Sequence, residues 1–164
     1  MNIVLDGPKA IGKSTFTKLF NNFKYIHLDK NTPNDLEYHF DLLKGDNQII
    51  DRFAFSELVY SQAVPREPKL SKTEVLSYLY NKNTVFVIFA TEDYKELQKR
   101  LIRRDAINDQ EKLDLLKRSS DLFFELSGEI KKMNLPNVFF ANENNWQEAY
   151  YNTLIYLKEH EGWK

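Results

Sequence analysis

Gly7 to Ser14 (GPKAIGKS) fits the pattern G-x-x-x-x-G-K-[ST]. The stretch follows an apolar run, Asn2 to Asp6 (NIVLD), and precedes Phe16, Leu19 and Phe20, which recur at i, i+3, i+4. A strand, a glycine loop and a helix in that order are what gives this pattern its meaning, and they leave few architectures open. Gly7 and Gly12 let the backbone turn without a Cβ clash, so the N–H groups from Gly7 through Ala10, Ile11, Gly12 and on to Thr15 can converge on one phosphate. Lys13 adds a mobile positive charge and Ser14 a hydroxyl suited to Mg²⁺. The helix that starts near Lys13 directs its positive dipole end at the same oxygens. A plain glycine turn capping a helix explains the glycines but not the lysine and hydroxyl that follow them.

The rest of the chain supplies a sheet for this loop. Thr84 to Ala90 (TVFVIFA) is a second apolar run rich in β-branched and aromatic residues, and with NIVLD it reads as a buried strand. Tyr25 to Leu28, Gln48 to Ile50 and Val138 to Phe140 resemble them, which makes five expected strands. Helical spacing recurs at Leu113, Leu116, Phe123, Leu126 and Ile130, and again at Trp146, Tyr150, Leu154 and Leu157. Strands alternating with helices predict an α/β fold, a five-stranded parallel sheet with helices on both faces and ligands beyond the carboxyl ends of the strands. No repeat, low-complexity tract or linker divides the sequence, so one domain over residues 1–164 is expected.

Composition narrows the function classes. With no cysteine, a disulfide framework and a cysteine zinc site are excluded, and a reducing, cytoplasmic setting is expected. No stretch reaches the roughly 18 apolar residues of a membrane span. A net charge of −1 argues against broad attraction to nucleic acid, so phosphate recognition has to be local. His27, His39 and His160 are scattered without ligand spacing and suggest no structural metal.

A second constellation lies in NQIIDRFAFSELVYSQAVPRE. Asp51 and Arg52 end a short apolar strand, where a carboxylate can orient Mg²⁺ or its waters and a guanidinium can grip phosphate through two parallel hydrogen bonds. GPKAIGKST and DRFAFSELVYSQA together resemble the thymidylate kinases and their phage-encoded relatives among the P-loop nucleoside and nucleotide kinases. The second segment is similar to that family's D-R-[YF]-x-x-S-x-x-x-[YF], supplied by Asp51, Arg52, Phe53, Ser56 and Tyr60. The resemblance implies a P-loop kinase fold and ATP-dependent phosphoryl transfer with Mg²⁺ to a deoxynucleoside monophosphate, dTMP first. It further implies that Arg52 holds the acceptor phosphate and that Ser56 and Tyr60 face its base or sugar. Asn142, with Ala141 and Glu143, would cradle the donor adenine, and a homodimer would be possible. KRLIRRDAINDQ resembles the family's lid, about residues 100–110, in which Arg100, Arg103 and Arg104 share a helix face and neutralise charge on the transferred group.

The resemblance is incomplete. Such kinases usually carry an acidic residue at the third loop position, where it meets the acceptor sugar, and here that position is Lys9. The segment between the second and third strands is short, which leaves Phe40 as the candidate for stacking on the base. Asp29, in HLDKN, supports a different acceptor: a deoxynucleoside kinase, or a kinase of hydroxyls on 5-modified pyrimidine DNA, needs a carboxylate base near this point. A nucleotide-binding module without catalysis is a third reading, and it leaves Asp51, Arg52 and the lid arginines without a purpose.

Overall fold

The computed structural model describes residues 1–106 and 109–161. Five parallel strands, β1 (Asn2–Asp6), β2 (Lys24–His27), β3 (Gln48–Asp51), β4 (Thr84–Phe89) and β5 (Val138–Ala141), form one sheet in the order β2-β3-β1-β4-β5. β1 is therefore central, and the loop that leaves it opens where the order reverses, the place where open α/β sheets bind ligands.

The period of two along β1 sorts the core. Val4 joins Ile50, Phe86 and Ile88 under α3 (Ala54–Ala63), α4 (Lys72–Ser77) and α6 (Gln110–Lys132). Ile3 and Leu5 join Ile49, Val85, Val87 and Phe89 on the opposite face, under α1 (Lys13–Thr17), α5 (Tyr94–Asp105) and α7 (Trp146–Glu161). Helices thus cover both faces, as expected. The remaining helix, α2 (Leu36–Leu43), is capped by Asp35, whose side chain accepts from Tyr38 N. No described helix is long and apolar enough to cross a membrane.

The strands lie within a residue or so of their expected bounds, with one difference in character. β2 is an edge strand whose residues are mostly exposed, not a buried run like β1 and β4. Its sequence, KYIH, lacks the continuous apolar character that burial on both faces demands.

Candidate active site

The phosphate loop earns its shape from backbone that few residues accept. Gly7 (φ 152°), Ala10 (φ 62°) and Gly12 (φ 114°) all have positive φ. A Cβ at Gly7 would lie 2.6 Å from both Cβ and O of Phe89, so β4 itself forbids a side chain there. Ile11 is buried in the core and anchors the loop from below. Lys13 Nζ donates to Gly7 O (2.8 Å) and Pro8 O (2.7 Å), bridging the loop. Loss of solvent lowers its pKa to about 8, with Asp51 and Asp6 opposing that shift and Arg52 and Arg104 adding to it.

Lys9, Ala10, Gly12, Lys13, Ser14 and Thr15 line a cavity of about 620 Å³. Asp51, Arg52, Arg100, Arg103 and Arg104 line it too, together with His27. The fold thus brings the loop, the Asp51-Arg52 pair and all three lid-like arginines around one space. The helix expected through those arginines is α5, which runs to Asp105. Of the lid-like segment, residues 107 and 108 lie outside the described residues. Arg100 Nε donates to Glu96 (3.1 Å), and Arg104 pairs with Asp105 through two nitrogens (2.8 and 3.1 Å). Lys9 has its pKa lowered by loss of solvent and then by Arg52 and Arg104, the effect of packing cations together.

Among the described residues lining this cavity, Asp51 is the one carboxylate. Tyr25 O–H donates to its Oδ2 (2.9 Å), and His27 Nδ1 stands 3.4 Å from the same oxygen. Register explains the meeting, because His27 pairs with Asp51 across β2 and β3 and Tyr25 lies two residues earlier on the same face. Desolvation and the bond to Asp51 raise the Tyr25 pKa to about 12. Asp51 Oδ1 is buried and has no hydrogen-bond partner among the described residues. A free carboxylate oxygen and a loop hydroxyl lining one cavity suit a hard cation such as Mg²⁺, so the chemistry of Ser14 and Asp51 fits the metal expected of them. Among the described residues no three His, Cys, Asp or Glu side chains gather as a metal site, so such an ion would take further oxygens from phosphate and water.

Several expected site residues stand elsewhere. Asp29 is exposed and caps its own loop, accepting from Asn31 N (2.8 Å) and Thr32 Oγ1 (3.3 Å), and these bonds lower its pKa. It does not line the cavity. Phe40 lies on α2, 56% exposed, with its ring 6.0 Å from that of Tyr78. It too is outside the cavity lining. Ser56 is buried, and its hydroxyl donates to Asp6, not toward the cavity. Tyr60 lies beneath Arg52, whose guanidinium carbon is 5.6 Å from the ring centroid. Asn142 and Glu143 line a second cavity of about 390 Å³ beyond β4 and β5, shared with Asp93, Phe124, Lys131 and Phe140. Asn142 Oδ1 accepts from Asn144 N and Asn145 N, so its carbonyl shapes the loop, while its side-chain NH₂ has no acceptor among the described residues.

Three contributors escaped the sequence. Tyr25 and His27 sit on a strand whose alternation gave no hint of which residue would pair with Asp51. Asp6 read as the last residue of an apolar run, yet its carboxylate is fully buried and draws the two motifs together.

No protein-family model and no curated protein sequence matches the chain. Solved structures do match it. Bacillus subtilis YorR, in complex with phosphorylated GDP, superposes with a TM-score of 0.67 at 22% identity, over 98% of this chain and 99% of that one. A gluconokinase from Sinorhizobium meliloti 1021 gives 0.57 at 12% identity over 96% and 91%. The deoxyadenosine kinase of M. mycoides with bound dATP gives 0.51 at 14% over 97% and 98%. At these identities the likeness is one of fold. The chain has the fold of the P-loop kinases, an α/β sheet of five parallel strands with helices on both faces.

Proposed function

We propose that the chain is a single-domain kinase that moves the γ-phosphoryl group of ATP to a deoxynucleoside monophosphate, dTMP being the first candidate. The observation that carries this reading is the charge of the main cavity: Lys9, Lys13, Arg52, Arg100, Arg103 and Arg104 against Asp51. One triphosphate needs fewer cations than that, whereas a triphosphate facing a second phosphate uses them all. YorR and the deoxyadenosine kinase, both of this fold, are each described with a bound nucleotide.

In the reaction, an oxygen of the acceptor phosphate forms a bond to the γ-phosphorus while the bond from that phosphorus to the β–γ bridging oxygen breaks. The products are a diphosphate on each side. An anionic acceptor oxygen carries no proton to remove, so no base is required. Lys13 exchanges its carbonyl partners Gly7 and Pro8 for phosphate oxygens, and the loop N–H groups take the β-phosphate. Arg52 fixes the acceptor phosphate, while Arg100, Arg103 and Arg104 neutralise charge spread over the transferred group. Ser14 and Asp51 would hold Mg²⁺, which would offset negative charge on the donor phosphates.

A hydroxyl acceptor is the second reading, and it needs a base in reach. Asp29, engaged with its own loop and outside the cavity lining, is poorly placed for that work. The test is phosphorylation across nucleosides, deoxynucleoside monophosphates and 5-modified pyrimidine DNA, repeated with Arg52→Ala and Asp29→Asn. A monophosphate kinase loses acceptor affinity in Arg52→Ala, roughly tenfold or more in KM, and tolerates Asp29→Asn. Turnover of thymidine with dTMP ignored, abolished by Asp29→Asn, would replace the proposal with a nucleoside kinase.

A further inference from the structure

Asp6 is fully buried at the end of β1 and makes four hydrogen bonds, to the phosphate loop and to the segment after Arg52. Its Oδ1 accepts from Gly7 N (2.9 Å) and Ser56 Oγ (2.5 Å); its Oδ2 accepts from Phe53 N (3.0 Å) and Ser56 N (2.9 Å). One donor belongs to the start of the phosphate loop. The other three come from the four residues that follow Arg52.

Arg52 itself is strained. Its φ of 76° lies in the left-handed region, which a long side chain avoids unless its surroundings impose it. β1 imposes it from both sides. Arg52 N donates to Leu5 O (2.8 Å), and the next N–H, that of Phe53, donates to Asp6. The Tyr60 ring then supports the guanidinium.

Burial of a carboxylate is unfavourable, and desolvation raises the Asp6 pKa to about 6 although Ser56, Lys13 and Gly7 all oppose the shift. The charge therefore has to be useful. Four donors aimed at one side chain require two oxygens that only accept, which an ionised carboxylate offers and a carboxamide does not.

We propose that Asp6 is a positioning residue for the acceptor: by tying Phe53 and Ser56 to the root of the phosphate loop, it holds Arg52 in the strained conformation that presents its guanidinium to the acceptor phosphate. The inference rests on the monophosphate reading above. It also gives Ser56 its place, as a partner of Asp6 and not of the substrate.

The experiment is calorimetric titration of dTMP, thymidine and ATP into wild type, Asp6→Asn, Arg52→Ala and the double variant, each checked for fold by circular dichroism. Asp6→Asn is expected to weaken dTMP roughly tenfold, the scale of a misaligned charge-assisted contact, with thymidine and ATP moving less than about threefold. In the Arg52→Ala background the same substitution should add nothing further to the loss of dTMP, because the two residues act as one. Equal losses in both backgrounds, or equal weakening of dTMP and ATP, would reduce Asp6 to a support of the fold and overturn the proposal. If Asp6→Asn does not fold, Ser56→Ala removes one of the donors and enters the same cycle with the same criteria. A wild type that binds dTMP while Asp6→Asn binds it equally well overturns this proposal alone. A wild type that binds none of dTMP, dAMP, dCMP or dGMP, the last three titrated into wild type alone, overturns the monophosphate reading and this proposal with it.

Discussion

The two cavities at the carboxyl end of the sheet carry opposite charge. The one at β1 and β3 gathers Lys9, Lys13, Arg52, Arg100, Arg103 and Arg104 around Asp51, while the one at β4 and β5 sets Glu92, Asp93 and Glu143 against Lys131. Both are built from strand-end loops of one sheet, so position in the fold does not decide what they can take. Side-chain charge does. The first can concentrate phosphate, and the second repels it while offering Phe124, Phe140 and the asparagine amides to a neutral ring. A nucleotide that used both would place its phosphates at one and its base toward the other.

The contrast is broken most severely at Lys13. Lys13→Ala is expected to lower kcat by roughly 10²-fold or more, the scale for one preorganised charge-stabilising donor, with the fold retained by circular dichroism. Normal turnover by that variant would remove the kinase assignment. A matched pair of substitutions sharpens the comparison next. Among the described residues Arg103 has no carboxylate or hydrogen-bond partner, so Arg103→Ala should lower kcat by roughly tenfold or more through lost charge in the cavity. Lys131, over the ring of Phe140 in the other cavity, should tolerate alanine with kcat within about twofold, as surface substitutions usually do. Similar losses in steady-state assays of the two would erase the distinction.

A pH profile tests the same charge without mutation. Lys13 has a lowered pKa of about 8, so above that value the free protein loses the ammonium proposed to receive the donor. kcat/KM for ATP should therefore fall as pH rises through 8, while kcat, which reports the nucleotide-bound enzyme, holds to higher pH. A profile flat to pH 10 would show that Lys13 stays charged throughout. A smaller loss than at Lys13 or Arg103 is expected at Asn142. Asn142→Asp keeps the oxygen that accepts from Asn144 and Asn145 but removes the amide donor, and it should raise the KM for ATP about fivefold, near the worth of one neutral hydrogen bond. An unchanged KM would separate the second cavity from the donor base.

The parts of this molecule that were legible in sequence share a physical property: their chemistry is local. Gly7, Gly12, Lys13 and Ser14 act through backbone freedom and charge within one loop, and the buried strands β1 and β4 announce themselves by continuous apolar runs. Asp51 and Arg52 were legible because they end a strand beside that loop. What stayed hidden depends on pairing across distance. Ser56 was expected at the acceptor, yet its partner lies 50 residues earlier, at Asp6. Tyr25 and His27 reach Asp51 only through the β2–β3 register, and KYIH is too polar and too short to reveal which face it presents. α2, α3 and α4 were not anticipated, since α3 buries nearly its whole surface and so shows no amphipathic stripe.

The central place of β1 also sets a timetable for synthesis. Its hydrogen bonds on one side wait for residues 48–51 and on the other for residues 84–89. At ordinary translation rates the gap between making β1 and completing its second neighbour is roughly 4 to 17 seconds. During that time Ile3, Val4 and Leu5 are apolar residues of an unpaired strand, a hazard for a nascent chain. The wall that excludes a side chain at Gly7 is Phe89, the last residue of β4, so the phosphate loop is shaped by a residue made some 80 positions after it. The close approach that reserves position 7 for glycine is thus completed only after more than half of the chain exists.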